Sequence, residues 1–188
     1  MTEDSSLTAN PDFVFFDLET TGFDPRSHEI VEIGAVRTSA DLADVRGEFE
    51  RKIQPEHIET AMPESLKVNG YTPELWANAV PLASALADFA AFGTGGVLAA
   101  YNITFDWMFL HIALLETKTL VTFDYHRFDV FSIAYENARR EKEHFPLDMR
   151  SMCRLFGVPV PPDPHRALAD AQTALALLRA FRGTPSSV

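Results

Sequence analysis

The chain has 188 residues, 46% of them hydrophobic and 23% charged, and a formal net charge of −11. That apolar content excludes a disordered chain, the length suits one domain, and no apolar run approaches the roughly 20 residues of a membrane span. One cysteine, Cys153, excludes an internal disulfide framework and a multi-cysteine zinc site. The polar, acidic start MTEDSSLTANP has neither the basic nor the apolar region of a secretory signal. A cytoplasmic protein without membrane contact is therefore expected, with its domain over 12–182 and loose ends at 1–11 and 183–188.

The charge is unevenly placed. Residues 1–94 hold 17 acidic and 6 basic side chains, whereas residues 95–188 hold 10 of each. Proteins that grip a long polyanion by counterion release usually carry the opposite sign. Any contact with nucleic acid is expected to be local or bridged by cations, and solubility alone is the plainer reading of the acidity.

In chain order, residues 13–19 read as a strand stopped by Thr20-Thr21-Gly22. Alternation puts Val14, Phe16 and Leu18 on one face and Phe13, Phe15, Asp17 and Glu19 on the other. Both faces are apolar at the base, as in a central strand covered on two sides, so the two carboxylates sit at its C-terminal tip. Ile30–Thr38 is a second apolar strand. Residues 45–53 alternate Val45, Gly47 and Phe49 with Arg46, Glu48, Glu50 and Lys52, which marks a strand with one wet face near a sheet edge. Three successive strands with short connections imply an antiparallel meander.

Beyond them the spacing predicts short helices at Pro63–Asn69 and 73–78, and a longer one at 81–92 with Leu82, Ala85, Leu86, Phe89 and Phe92 on a stripe. A buried strand fits 97–101. Helices follow at 105–116, 130–142, 148–156 and 166–182. Strands first, then helices alternating with further strands, point to an α/β layered domain.

Three segments carry chemistry. In Asp17-Leu18-Glu19-Thr20-Thr21-Gly22 two carboxylates at i and i+2 project to one side of a strand tip. Unneutralised, each raises the other's pKa, so the tip needs a cation, a proton or open solvent. In Asn102-Ile103-Thr104-Phe105-Asp106, Asn102 suits a helix N-cap and Asp106 falls early in the helix, where the dipole alone also favours an acid. In His165-Arg166-Ala167-Leu168-Ala169-Asp170, residues five apart would diverge by about 140° on one helix. The proline-rich stretch 159–164 instead places His165 on a loop, free to turn toward a ligand held by Asp170.

Each segment alone has an ordinary explanation: a solvated turn, a helix start, a surface histidine. Together they form a natural four-acid cluster of Asp17, Glu19, Asp106 and Asp170, hard oxygen ligands suited to two Mg²⁺ or Mn²⁺ ions. Such a pair can clamp the attacking and leaving oxygens of a phosphodiester. A neutral imidazole, ordinarily with a pKa near 6.5, suits a general base, and His165 is the histidine placed beside one of these acids. His28, His57, His111, His126 and His144 lack a comparable context.

These residues resemble the three exonuclease motifs of the DnaQ-like DEDDh 3′→5′ exonucleases. Order and separations agree over roughly 12–182, and residues 147–157 resemble the family's penultimate helix. The resemblance implies a ribonuclease-H-like fold: a mixed sheet, with an antiparallel three-strand meander plus parallel strands, flanked by helices. It implies Asp17, Glu19, Asp106 and Asp170 as ligands of two divalent metals and His165 as the base. The expected activity is release of mononucleotides from the 3′ end of single-stranded DNA.

By the same resemblance Thr20, Phe23, Val68, Tyr101, Asn102 and Phe105 border the terminal nucleotides, with core packing an equal alternative for Phe23, Val68 and Phe105. Arg139, Arg140, Lys142, Arg150, Arg154 and Arg166 are candidates to guide the strand or ordinary exposed helix charges. The family's polymerase subunits make a DNA polymerase a partner to consider, although only the short segment 183–188 follows the last helix. Residues 125–130 resemble a segment of oligoribonucleases, so RNA is the alternative substrate. A non-catalytic binding module is disfavoured because all four acids and the histidine are present.

Overall fold

The computed structural model describes residues 10–161 and 165–182. Of the loose ends expected at 1–11 and 183–188, residues 1–9 and 183–188 lie outside the described residues, as do the proline-loop positions 162–164. Among the described residues, five strands form one mixed sheet: β1 (Phe13–Thr20), β2 (Ile30–Thr38), β3 (Val45–Lys52), β4 (Val97–Ala100) and β5 (Arg127–Asp129). Their spatial order is β3-β2-β1-β4-β5. The first three pair antiparallel, while β4 lies parallel to β1 and β5 parallel to β4. The mixed α/β architecture and the meander are as the sequence predicts, and β3 is an edge strand.

Among the described residues six α-helices flank the sheet: α1 (Pro63–Asn69), α2 (Leu82–Phe92), α3 (Ile103–Thr117), α4 (Val130–Glu141), α5 (Met149–Leu155) and α6 (Ala167–Arg182). The alternation along β1 explains the layering. Val14, Phe16 and Leu18 enter one core with Leu86 and Phe89 of α2 and Phe109 and Leu110 of α3. Phe15 enters the opposite core with Val130 and Ala134 of α4, Met152 of α5, and Ala171 and Leu175 of α6.

Two expectations need correction, and one strand is added to them. Residues 73–78 form turns, not a helix. Trp76, 1% exposed, donates Nε1–H to the Val31 carbonyl at 2.8 Å, and this tether holds the segment against the sheet before a helix can propagate. β5, three residues long, was not foreseen, since so short a strand carries no periodic signal. Asn102 precedes α3 without a side-chain cap. Asp129, at the tip of β5, accepts the Ile103 N–H at 3.1 Å with one oxygen and the Ser132 N–H at 2.9 Å with the other. One carboxylate thus caps both α3 and α4.

Two features of the sheet make room for a site. Pairing between β1 and β4 covers only Phe13–Phe15 and Val97–Ala99, while β1 runs on to Thr20. The strands part at their C-terminal ends, the place where sheets of this kind open a crevice for ligands. On the other flank, Asp17 registers with Gly34 of β2. A Cβ at position 34 would sit 1.9 Å from the Leu168 nitrogen and 2.2 Å from the Ala167 carbonyl carbon. Only glycine lets the first turn of α6 settle directly on the sheet beside Asp17.

Candidate active site

A cavity of about 340 Å³ opens where β1 outruns β4, and it is lined by Asp17, Glu19, Asp106, His165 and Asp170. Asp17 and Glu19 reach it from the tip of β1. Asp106, 5% exposed, comes from the first turn of α3 and accepts the Leu18 N–H at 3.1 Å. That N–H lies beyond the β1–β4 pairing, so the acid takes up a backbone donor that the diverging strands leave open. Asp170 comes from the first turn of α6. His165 precedes the helix, exposed, with φ at +62°. Ligand atoms of Glu19, His165 and Asp170 lie within 4.8 Å of one another.

The other anticipated residues also line this cavity: Thr20, Phe23, Val68, Tyr101, Asn102 and Phe105. Phe23 is 68% exposed and Val68 50% exposed, so neither is a core residue. Phe105 is partly buried against Phe109, with Phe23 edge-on at 6.5 Å. The turn after β1 is held by Thr20 Oγ1 donating to the Gly22 carbonyl and by Asn69 of α1 donating to the Thr20 carbonyl at 3.1 Å. That second bond brings Val68 to the cavity rim. Tyr101 donates its hydroxyl to the Leu147 carbonyl at 2.6 Å. Asn102 adopts φ +119°, a costly conformation for a non-glycine residue, and its side chain makes no cap bond.

Burial and mutual repulsion dominate the electrostatics. Asp17 is pushed well above the usual carboxylate range by burial, then by Asp106, Glu19, Asp170 and Glu32. Glu19 rises to about 8 through burial and the charges of Asp170 and Glu32, with Arg166 opposing. Asp106 rises to about 7 through burial, against the Leu18 hydrogen bond. Burial also raises Asp170, while His165 and Arg150 temper it. Several acids that would rather share protons than ionise together form a donor set that fits divalent cations, and Glu19, His165 and Asp170 have the spacing for a shared ion.

Sequence reasoning missed Glu32, Glu64, Ser65 and Met149. The last three line the cavity. Glu32, on β2 beside Glu19, is fully buried and meets Arg166 Nη2 at 3.3 Å; Glu50 of β3 meets the same group at 3.6 Å. Arg166 is therefore not free to guide a strand: it fastens the start of α6 to β2 and β3. A charged residue inside the apolar run of β2 was the available signal for Glu32.

A family model described as RNase_T, exonuclease, matches residues 14–178. The chain belongs to the DnaQ-like exonuclease family. It is 30% identical over 177 residues to the PolC-type DNA polymerase III of Thermotoga maritima, covering 94% of this chain and 12% of that one. It is 30% identical to a putative bifunctional exonuclease/endonuclease of Mycobacterium tuberculosis, over 90% of this chain and 26% of the relative. The exonuclease-family chain thus spans a small part of these relatives' length. Exonuclease I of E. coli in complex with a dT13 oligonucleotide superposes with a TM-score of 0.79 at 18% identity, over 93% of this chain and 41% of that one, and so shares its fold. No helix among the described residues of this family member is long and apolar enough to cross a membrane.

The raised carboxyl groups give the metal-free chain an inverted pH dependence. Glu19 and Asp106 bind protons more tightly folded than unfolded, so their contribution is complete below about pH 4 and is lost as pH climbs toward about 7 and about 8. In EDTA the melting temperature is expected to fall by several degrees from pH 5 to pH 8.5, at about 2–4 °C per kcal/mol for a domain of this size. Mn²⁺ added at pH 8.5 is expected to restore it. Calorimetry with and without chelator checks this; a flat or rising profile in EDTA would contradict the buried repulsion.

Proposed function

We propose that residues 12–182 form one catalytic unit, a metal-dependent 3′→5′ exonuclease that releases nucleoside monophosphates from single-stranded DNA. The observation that carries this reading is the meeting of Asp17, Glu19, Asp106 and Asp170, from three separate elements, in one cavity beside His165. Asp17, Glu19, Asp106 and Asp170 would hold two Mg²⁺ or Mn²⁺ ions. When bound, such ions supply a water of lowered pKa and stabilise the departing oxygen.

The chain's own residues do the rest. His165, exposed at the cavity mouth beside Asp170, takes the proton of the attacking water at a ring nitrogen. Phe23 and Val68 give the terminal base an apolar seat. Asn102, relieved of capping by Asp129, keeps its amide for the nucleotide. The Glu32–Arg166 pair holds the segment carrying His165 over the acids. The polymerase relatives make a replicative polymerase a proposed partner.

Digestion of matched DNA and RNA oligomers with free and blocked 3′ ends, in Mn²⁺ and in EDTA, tests the reading. Mononucleotides are expected from free-ended single-stranded DNA with metal only. Activity in chelator would remove the metal mechanism, digestion of blocked ends would remove the polarity, and a strong RNA preference would replace the substrate.

A further inference from the structure

A second cavity, about 280 Å³, lies on the α4–α5 side of the molecule and is lined by Lys142, His144, Phe145 and Arg154 among others. A run of aromatic rings leads to it from the first. Tyr101, in the catalytic cavity, meets Phe131 edge-on at 5.7 Å; Phe131 meets Tyr135 at 6.0 Å; Tyr135 meets Phe145 at 5.4 Å. Phe131 and Tyr135 stand one turn apart on α4, which is why they line up. Tyr135 is 43% exposed, unusual for a residue between two aromatic neighbours. The strap 144–149 borders both cavities and is tied to Tyr101 through the Leu147 carbonyl.

The six candidate strand-guiding cations of this half sort themselves accordingly. Arg139 and Arg140 pair with Glu136, Arg150 donates to the Pro161 carbonyl, and Arg166 is turned to Glu32 and Glu50. Lys142 and Arg154 form no ion pair among the described residues, Arg154 donating only to Ser151 Oγ at a long 3.5 Å, and both line the second cavity. Asp148, the carboxylate that senses Arg154, is occupied in capping α5 through the Ser151 N–H. In a chain of net charge −11, two unpaired cations at the end of a track of rings suit an unpaired, phosphate-bearing strand.

We propose that this track and cavity form a second subsite, which holds the single-stranded DNA immediately 5′ of the nucleotides in the catalytic cavity. Bases stack along Phe131, Tyr135 and Phe145, and backbone phosphates meet Lys142 and Arg154. The proposal rests on the exonuclease reading, so its test has one readout that needs no turnover.

The experiment compares wild type with Tyr135→Ala and with the double variant Lys142→Glu/Arg154→Glu. Anisotropy of 5′-labelled dT12 in EDTA at low salt reads binding, and turnover of dT2 and dT12 in Mn²⁺ reads catalysis. Each variant is expected to bind dT12 about tenfold or more weakly and to show a KM for dT12 raised by a similar factor. Turnover of dT2 should be unchanged, which also shows that the variants fold. The double variant should flatten the salt dependence of dT12 binding by one to two ions. Equal losses on dT2 and dT12, or no loss on either, would overturn the subsite. A wild type that binds dT12 through this track but cleaves no DNA would sink the exonuclease reading and leave the subsite standing.

Discussion

Asp17→Asn is expected to lower turnover by about 10³-fold or more, while the metal-free protein becomes at least as stable as wild type above pH 7. Asp17 sits among Asp106, Glu19, Asp170 and Glu32, each of which pushes its carboxyl up. An amide keeps the shape and removes the charge, so the neighbouring acids ionise against less repulsion and the folded state gains. The same change deletes an oxygen that the proposed cations would need. Thermal unfolding separates the two effects: Mn²⁺ should raise the melting temperature of wild type markedly and that of the variant little. Most substitutions that kill an enzyme either leave stability alone or reduce it. A loss of activity joined to a gain in metal-free stability marks a position where repulsion is kept for function. Unchanged turnover would exclude the site.

Gly34→Ala is expected to be the most damaging single methyl in the molecule. Its Cβ would meet main-chain atoms of Ala167 and Leu168 at 2.2 Å and 1.9 Å, and backbone packed on a sheet has no rotamer to move into. Either α6 lifts or β2 bends. We expect a cost of about 3 kcal/mol, roughly a 10 °C fall in melting temperature. Because α6 carries Asp170, a displacement near 1 Å should also cost about 10²-fold in turnover. Gly47→Ala is the control: on β3 of the same sheet, its Cβ would meet only the Phe92 ring at an ordinary 3.4 Å. Equal melting temperatures for the two variants would show that α6 does not sit as closely on β2 as the structure places it.

The acids were legible because their positions depend on local rules. Alternation alone sends Asp17 and Glu19 to one side of a strand tip, and proximity to a strand–helix junction puts Asp106 in a first turn. What escaped depends on tertiary neighbours. Glu32 looks like a stray charge in an apolar strand until Arg166 arrives from 134 positions later in the chain to meet it. Asn102 has the chemistry of a cap, yet Asp129 from an unforeseen strand takes that role, and neither local sequence announces the exchange. Tyr101 is expected beside the terminal nucleotides, but nothing in the local sequence joins it to Phe131, Tyr135 and Phe145; only the packing of α4 against β4 and the strap makes them continuous.

The double use of Asp129 has a consequence for how this chain can vary. Because one side chain grips the beginnings of both α3 and α4, their separation is dictated at the sheet, not by the length of what joins them. The intervening surface segment, where Leu120 is 91% exposed, can lengthen or shorten near Lys118–Val121 without shifting Asp106. Insertions should therefore accumulate there, and a fluorescent tag or an added recognition loop would find its least disruptive home at that bend.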